Sequence, residues 1–171
     1  HDGRTWNTVD ITDLNAMVSS AVQMDGLVLH DNKLFTLLIT DSANTYALCQ
    51  STDATTAATT ANWTQLGTLV LDYEETPSQL FVWRFPPDPG RPGIFCLTNR
   101  RIMFYDDTAD AASVTAWKQW HVWDVPFINN AYPEAVVNAR TGDLYVNPSI
   151  QQEQVWQFTG STITPHGPND R

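Results

Sequence analysis

The sequence predicts an all-β fold built from repeated four-stranded antiparallel units. Short apolar runs, rich in β-branched and aromatic residues, follow one another along the 171 residues, and turn-forming residues separate them. The runs fall into groups of four, and the groups correspond: Trp63 opens the fourth run of one group, and Trp117 opens the fourth run of the next. The two tryptophans are 54 positions apart. A period of this length with four short strands in each group is typical of proteins built from a repeated structural unit.

The first unit is predicted over residues 25–71. Its four strands are LVLH (27–30), KLFTLLIT (33–40), TYALCQS (45–51) and NWTQLGTLVL (62–71). Because Asp-Asn and Asp-Ser-Ala-Asn links join the first three, we expect an antiparallel meander. Before it, DLNAMVSSAVQM (13–24) has apolar residues at helical spacing, which predicts either a short helix or an extended link.

The second unit is predicted over residues 78–125. Its strands are SQLFVWRF (78–85), GIFCLT (93–98), RIMFYDD (101–107) and AWKQWHVWDV (116–125). The proline-rich PPDPGRP (86–92) is predicted to be a turn, because proline cannot donate a ladder hydrogen bond. Asn99 and Arg100 are predicted to form a second, tight turn.

The third unit is predicted over residues 134–160, with strands in EAVVNAR (134–140), DLYVNPS (143–149) and QVWQFTG (154–160). The remaining STITPHGPNDR is short and interrupted by proline, so no fourth strand is expected there. Instead, residues 1–12 are predicted to be an orphan outer strand that pairs beside QVWQFTG. The chain would then hold about two and a half blades plus this N-terminal closing strand.

Two polar loops share one pattern. In STDATTAATTANW, Asp53 precedes Trp63 by ten positions, and in YDDTADAASVTAW, Asp107 precedes Trp117 by ten. Both loops link the third strand of a unit to the fourth. Because a four-stranded meander cannot bury both of its faces alone, the units are expected to stack around an axis as blades of a β-propeller. Known rings have about four to eight blades, so we expect residues 1–171 to be one propeller-like domain or part of one, or copies to combine.

These loops resemble degenerate Asp boxes, the S-x-D-x-G-x-T-W motif of sialidase-like (BNR) propellers. The matching residues are Ser51, Asp53 and Trp63, then Asp107 and Trp117, then Gly3, Thr5 and Trp6 with His1 in the place of the aspartate. The resemblance implies structural roles: the aspartate accepts hydrogen bonds from turn amides, and the tryptophan packs between blades. The units are also similar to propeller modules of phage tail and adsorption proteins, which implies protein partners or self-association in a larger assembly.

Charge and composition narrow the class of partner. The net charge of −10 at pH 7 repels nucleic acid and anionic lipid, so neither is expected to bind. No apolar run approaches the ~20 residues of a membrane helix, and we expect no membrane insertion and an extracellular or virion location. Cys49 and Cys96 lie in apolar runs and are interpreted as buried thiols, although spacing leaves a disulfide open.

One arginine is a candidate for carboxylate binding. Arg84-Phe85-Pro86 resembles the arginine motif with which sialidases hold a sugar carboxylate, which makes a sialidase-like glycoside hydrolase a distant alternative. The other arginines, the nucleophile pair and the proton donor of that family have no clear match, so we expect a non-enzymatic protein without a catalytic residue or cofactor. Asp106, Asp107 and Asp110 suit calcium by residue type, but no EF-type frame is present, which favours a solvated loop and no metal.

Tryptophans suggest a second kind of binding. In WKQWHVW, alternation places Trp117 and Trp123 on one face of a strand and Trp120 on the other. An exposed ring at Trp120 or Trp123 would suit a sugar ring, whereas packing between blades is the competing role. The sequence therefore predicts a structural and interaction module, with a glycan-binding, lectin-like propeller as the alternative.

Overall fold

A computed structural model of the chain consists of three four-stranded antiparallel sheets. It describes residues 18, 21–40, 42–53, 62–85, 88–108, 116–122, 133–147, 155–160 and 162–167. The strands are β1 (Ala21–His30), β2 (Lys33–Thr40), β3 (Thr45–Ser51), β4 (Trp63–Val70), β5 (Pro77–Phe85), β6 (Asp88–Thr98), β7 (Arg101–Tyr105), β8 (Trp117–Val122), β9 (Glu134–Val137), β10 (Leu144–Asn147), β11 (Val155–Thr159) and β12 (Thr162–His166).

Each sheet is a meander of consecutive strands. The strand orders are β1-β2-β3-β4, β5-β6-β7-β8 and β12-β11-β10-β9, which confirms the predicted all-β class and its four-stranded antiparallel units. The chain divides into two compact parts, residues 1–71 with 110–114 and residues 72–109 with 115–171. The first part contains the first sheet, and the second part contains the second and third sheets. Within the described ranges, no helix is long and apolar enough to cross a membrane.

The predicted hairpin turns are present where turn-forming residues accept positive φ. Asp31 and Asn32 have φ of 51° and 58°, the pairing that a two-residue hairpin needs to match the twist of its strands. Asn44 closes the next turn with φ of 55°, and Gly142 turns the chain between β9 and β10 with φ of 71°. Turn chemistry therefore determines where these strands end.

The third sheet has four strands, so the prediction of a three-stranded unit was wrong. β12 pairs with β11 in five consecutive residue pairs, from Val155 opposite His166 to Thr159 opposite Thr162. It occupies the position beside β11 that was assigned to residues 1–12, which lie outside the described residues. Pro165 is tolerated because β12 is an end strand of the sheet, where a missing N–H removes no ladder bond.

The predicted turn at 86–92 was also wrong at most of its positions. β6 begins at Asp88 and runs beside β5, with Pro92 opposite Arg84. β7 pairs with β6 only from Phe95 onward. The first part of β6 therefore has one described strand neighbour, and a proline there needs to satisfy only one side.

The segment before the first sheet is extended where it is described. β1 starts at Ala21 and contains two register shifts, one of them at Gly26. Residues 21–24 are therefore strand, as the extended-link alternative expects, and not helix. The rest of 13–24, apart from the buried Val18, lies outside the described residues.

The repeat is present in the backbone at the base of both polar loops. The N–H of Thr52 donates to the carbonyl of Asn62, and the N–H of Asp106 donates to the carbonyl of Ala116, each at 2.7 Å. Just inside each bond, the last residue of the third strand pairs with the tryptophan that opens the fourth. The two loops thus leave and rejoin their sheets in the same way.

A β-bulge repeats at the same place. Between β3 and β4 the register skips Leu66, and between β7 and β8 it skips Trp120. Leu66 and Trp120 are separated by the same interval as Trp63 and Trp117, so they are equivalent positions. A bulge sets one extra residue against the partner strand and increases the local twist. Because two sequences with different side chains share it, the bulge belongs to the repeated unit.

The second sheet is apolar on both faces. One face packs on the third sheet in a buried cluster of Phe81, Trp83, Phe95, Leu97, Ile102 and Phe104 with Ala135, Leu144, Val146 and Phe158. The opposite face carries a second buried set, Leu80, Ile94, Cys96, Met103, Tyr105 and Trp117. Cys49 and Cys96 are fully buried and form no disulfide, which confirms their interpretation as buried thiols, and burial raises the pKa of Cys49 to about 12.

A buried carboxylate fastens the start of β5 to the hairpin between β6 and β7. Glu75 is fully buried, and its Oε1 accepts from Thr98 Oγ1 at 2.6 Å and from Arg101 Nε at 2.9 Å. Its Oε2 accepts from Arg101 Nη2 at 2.7 Å and from the N–H of Asp72 at 3.1 Å. Four donors compensate a charge that would otherwise be costly to remove from water.

We expect Glu75→Gln to lower the free energy of unfolding by about 3 kcal/mol, because Arg101 would keep a largely buried charge without its partner. Asp72→Asn is the matched control: Asp72 also pairs with Arg101, at 3.3 Å, but its side chain is 68% exposed. Its loss should cost less than about 1 kcal/mol. Urea denaturation followed by tryptophan fluorescence measures both, and equal losses would contradict the role given to Glu75.

Candidate functional site

A cleft of about 240 Å³ opens between the hairpin of β5 and β6 and the turn between β9 and β10. Its lining includes Trp83, Arg84, Gly90, Arg91, Val137 and Gly142. Two of the nine basic residues of an acidic chain thus share one small concave surface. The prediction from sequence included Arg84 but not Arg91, because the proline-rich run around Arg91 was interpreted as a turn.

Arg84 lies against the backbone of the third sheet. Its Nη2 donates to the carbonyl of Thr141 at 2.9 Å, and the neighbouring Trp83 Nε1 donates to the carbonyl of Gly142 at 2.9 Å. A Cβ at Gly142 would lie 2.6 Å from Arg84 Nη2 and would displace the guanidinium, while the positive φ of 71° is what favours glycine at this position. Within the described part of the chain, no carboxylate forms an ion pair with Arg84.

Arg91 is bound to Asp107 in a two-pronged ion pair. Arg91 Nη1 donates to Asp107 Oδ2 at 2.7 Å, and Nη2 donates to Oδ1 at 2.6 Å. These hydrogen bonds lower the pKa of Asp107 and raise the pKa of Arg91 from their ordinary values. Asp107 therefore connects the base of its loop to β6, which differs from the turn-amide role that the Asp-box resemblance implies.

Asp53 makes the corresponding connection in the first sheet with different chemistry. Its Oδ2 accepts from Asn32 Nδ2 at 2.8 Å, while Ser51 Oγ accepts from the N–H of Leu34 at 2.8 Å. Asn32 belongs to the hairpin between β1 and β2, as Arg91 belongs to the strand that follows the hairpin between β5 and β6. In both sheets the loop aspartate reaches the region that joins strands one and two.

The described aspartates of the second polar loop are bonded to protein groups and are not arranged as calcium ligands. Asp106 Oδ1 accepts from the N–H and the hydroxyl of Thr108, at 3.1 and 2.6 Å, and Asp107 is paired with Arg91. Asp110 lies outside the described residues. No cluster of three His, Cys, Asp or Glu side chains suited to a metal ion occurs in the ranges that the structure describes.

The loop tryptophans are packed. Trp63 and Trp117 are each 6% exposed and open β4 and β8, and Trp117 lies edge-on to Tyr105 with ring centres 5.7 Å apart. Trp6 and Trp123, the other two tryptophans singled out from the sequence, lie outside the described residues.

Trp120 lies on the face of β8 opposite to Trp117, as alternation predicts. Its side chain is half-buried, and the centre of its ring lies 4.7 Å from the ring centre of Trp83, 5.1 Å from that of Phe158 and 6.2 Å from that of Phe95. These are edge-to-face distances of packed aromatic pairs. The ring thus joins the second sheet to the third, which is the packing role that competes with sugar binding.

We expect Trp120→Ala to lower the free energy of unfolding by about 2–3 kcal/mol, near the lower end of the range for a deleted core ring because part of the side chain is exposed. Trp120→Phe, which keeps an aromatic ring, should lose less than half as much. Chemical denaturation measures both variants. An alanine variant as stable as the parent chain would show that the ring is not part of the core.

The pairing of Asp107 with Arg91 predicts a shifted titration. Because the pKa of Asp107 is lower in the folded chain than in the unfolded chain, the pair stabilises the fold above the unfolded pKa of about 3.9. That contribution is lost as the pH falls through the lower folded pKa. A ¹³C NMR titration should therefore show Asp107 ionised below pH 3.9, and Arg91→Ala should move its pKa back upward. Arg140→Ala is the control, because it removes an exposed arginine that does not contact Asp107. It should leave the titration of Asp107 unchanged.

Those residues resembling Asp boxes that the structure describes therefore lie at loop bases and in packed positions, and Arg84 and Arg91 line a cleft between the second and third sheets. The contact between Arg91 and Asp107 depends on strand register, which no local motif encodes. Comparisons with protein-family models, curated proteins and solved structures find no match to this chain.

Proposed function

We propose that the chain is a non-enzymatic structural and interaction module, built from stacked blades of the β-propeller type, in an extracellular or virion assembly. One observation carries the proposal. The two loops that most resemble a functional site are closed by the same backbone hydrogen bond and by the same pairing of a tryptophan with the end of the third strand. In each, the aspartate contacts the hairpin region, with Asn32 as one partner and Arg91 as the other. The aspartates at the loop bases, Asp53 and Asp107, make contacts within the fold, which is consistent with a scaffold.

The packing supports a stacked arrangement. The second sheet has buried apolar side chains on both faces, and one of those faces packs on the third sheet. Repeated sheets that bury their faces against neighbours are the building principle of propellers. The regular spacing of the Asp-box-like loops is the second support, and a ring of this type would be completed by further chain or by partner molecules.

The acidic charge supports an assembly outside the cell. A net charge of −10 keeps a chain soluble and limits non-specific contact with nucleic acid and anionic lipid. Protein partners in a larger assembly, or other copies of the chain, are the partners we propose.

The assembly role predicts that the chain is a stoichiometric part of a particle. Particles and soluble proteins released by the producing culture can be separated on a density gradient and quantified by mass spectrometry. We expect the chain to sediment with particles at a constant ratio to their other proteins. A chain that stays in the soluble fraction, or that varies freely relative to the particle proteins, would refute this role.

Glycan binding is the second candidate, and the cleft favours it. Arg84 forms no described ion pair, although its charge helps to lower the pKa of Asp143, and it lines a space of about 240 Å³; a guanidinium suits a sugar carboxylate. Specific binding on a glycan array that is lost in Arg84→Ala, but kept in Arg100→Ala, which changes an arginine of the β6–β7 turn away from the cleft, would support the lectin. Turnover of a fluorogenic sialoside that Arg84→Ala abolishes would support the hydrolase alternative and refute the non-enzymatic assignment.

A further inference from the structure

We propose that the cleft between the second and third sheets binds an uncharged sugar ring in preference to an acidic one. The proposal rests on the glycan-binding candidate above, because it names the class of ligand that the same cleft would take. By itself, the guanidinium of Arg84 suits a carboxylate. The charges of the residues around it, however, favour a ligand that carries none.

The Arg91 side of the cleft is already supplied with negative charge. Arg91 forms two hydrogen bonds to the carboxylate of Asp107, at 2.6 and 2.7 Å. Asp88 Oδ1 accepts from the N–H of Gly90, which lines the cleft, at 3.2 Å. The hydrogen bonds to Asp107, and to a smaller extent the charges of Asp88 and Asp106, raise the pKa of Arg91. This arginine therefore offers a ligand no uncompensated positive charge.

The Arg84 side also contains an acid. Asp143 follows Gly142 of the cleft lining and is 8% exposed, and a hydrogen bond from Thr141, with a smaller effect of the charge of Arg84, lowers its pKa. Even with the exposed Arg140 of the same turn, the arginines of this region do not outnumber its carboxylates. Because the whole chain carries −10, a ligand carboxylate or sulfate would approach against both the local and the overall charge.

A neutral ring finds suitable groups in the cleft. Arg84 Nη2 donates to the carbonyl of Thr141 at 2.9 Å, and its other N–H groups, which have no described acceptor, can donate to hydroxyl oxygens. Val82, Pro92 and Val137 add apolar surface to the lining, which suits the C–H groups of a sugar ring. The volume of about 240 Å³ lies below the roughly 300–1,000 Å³ of pockets for drug-sized ligands, so we expect one ring to bind.

A titration of the full chain followed by ¹H–¹⁵N NMR tests the preference. Glucose, galactose and mannose are compared with glucuronic, galacturonic and mannuronic acid, so that each pair differs by one carboxylate. We expect at least one hexose to shift the amide signals of Gly90, Arg91 and Gly142, and its uronic acid to bind at least tenfold more weakly. Added salt should leave the affinity for the hexose unchanged, because that ligand carries no charge to screen.

Asp107→Asn tests the charge argument, because it removes the partner of Arg91 and should raise the affinity for the uronic acid at least fivefold. Glu74→Gln is the matched control: it changes the net charge equally, at an exposed position in the link before β5, and should have no such effect. An equal rise in both variants, or a rise in neither, overturns the proposal.

Arg84→Ala should weaken binding of the hexose at least tenfold, and Arg100→Ala should leave it unchanged. The comparison of hexose with uronic acid in the parent chain decides the proposal even if Arg84→Ala fails to fold. Binding of a uronic acid as tight as that of its hexose, or tighter, would refute this inference and leave the glycan-binding candidate standing. Binding of neither class would refute both, and the assembly role would still be decided by particle fractionation.

Discussion

The second sheet requires cover on both sides, and much of the architecture follows from that constraint. Apolar side chains alternate onto both faces of β5, β6 and β7, so neither face can remain in water. On one face, rings of Phe95 and Trp83 meet Phe158 of the third sheet through Trp120. The buried carboxylate of Glu75 then fixes where the sheet begins, because four donors are arranged around it. Burial of apolar side chains drives the packing of the sheet, and the hydrogen bonds of Glu75 determine where its first strand begins.

The polar residues near the loops show how one position can keep its place and change its chemistry. Asp53 and Asp107 occupy equivalent positions in successive repeats, and both reach the hairpin region at the same end of their sheets. One accepts from an asparagine amide, and the other forms an ion pair with an arginine. What is repeated is the connection between the loop and the hairpin, while the partner varies. An acidic residue beside an aromatic one can therefore look like a binding site and serve as a fastening.

Local rules predicted the strands and most of the turns, since positive φ at Asp31, Asn32 and Gly142 depends on the residues themselves. They failed at the prolines, because whether proline is tolerated depends on the number of neighbouring strands. Pro92 lies in the part of β6 that extends beyond its pairing with β7, and Pro165 lies on an end strand of its sheet. The cleft was predictable only in part. Arg84 could be chosen by its motif, but its hydrogen bond to the carbonyl of Thr141 depends on how the third sheet packs against the second. Such contacts join residues 57 positions apart.

The hydrogen bond between Thr52 and Asn62 has an evolutionary consequence. It closes the loop at its base, so that the backbone of β3 and β4 is satisfied whatever lies between them. Ala116 and Asp106 do the same in the next repeat. A gene that changes either loop but keeps its aspartate would keep this closing hydrogen bond, so we expect variation there to cost little folding free energy. The same property makes these two loops natural places to graft a foreign peptide for display.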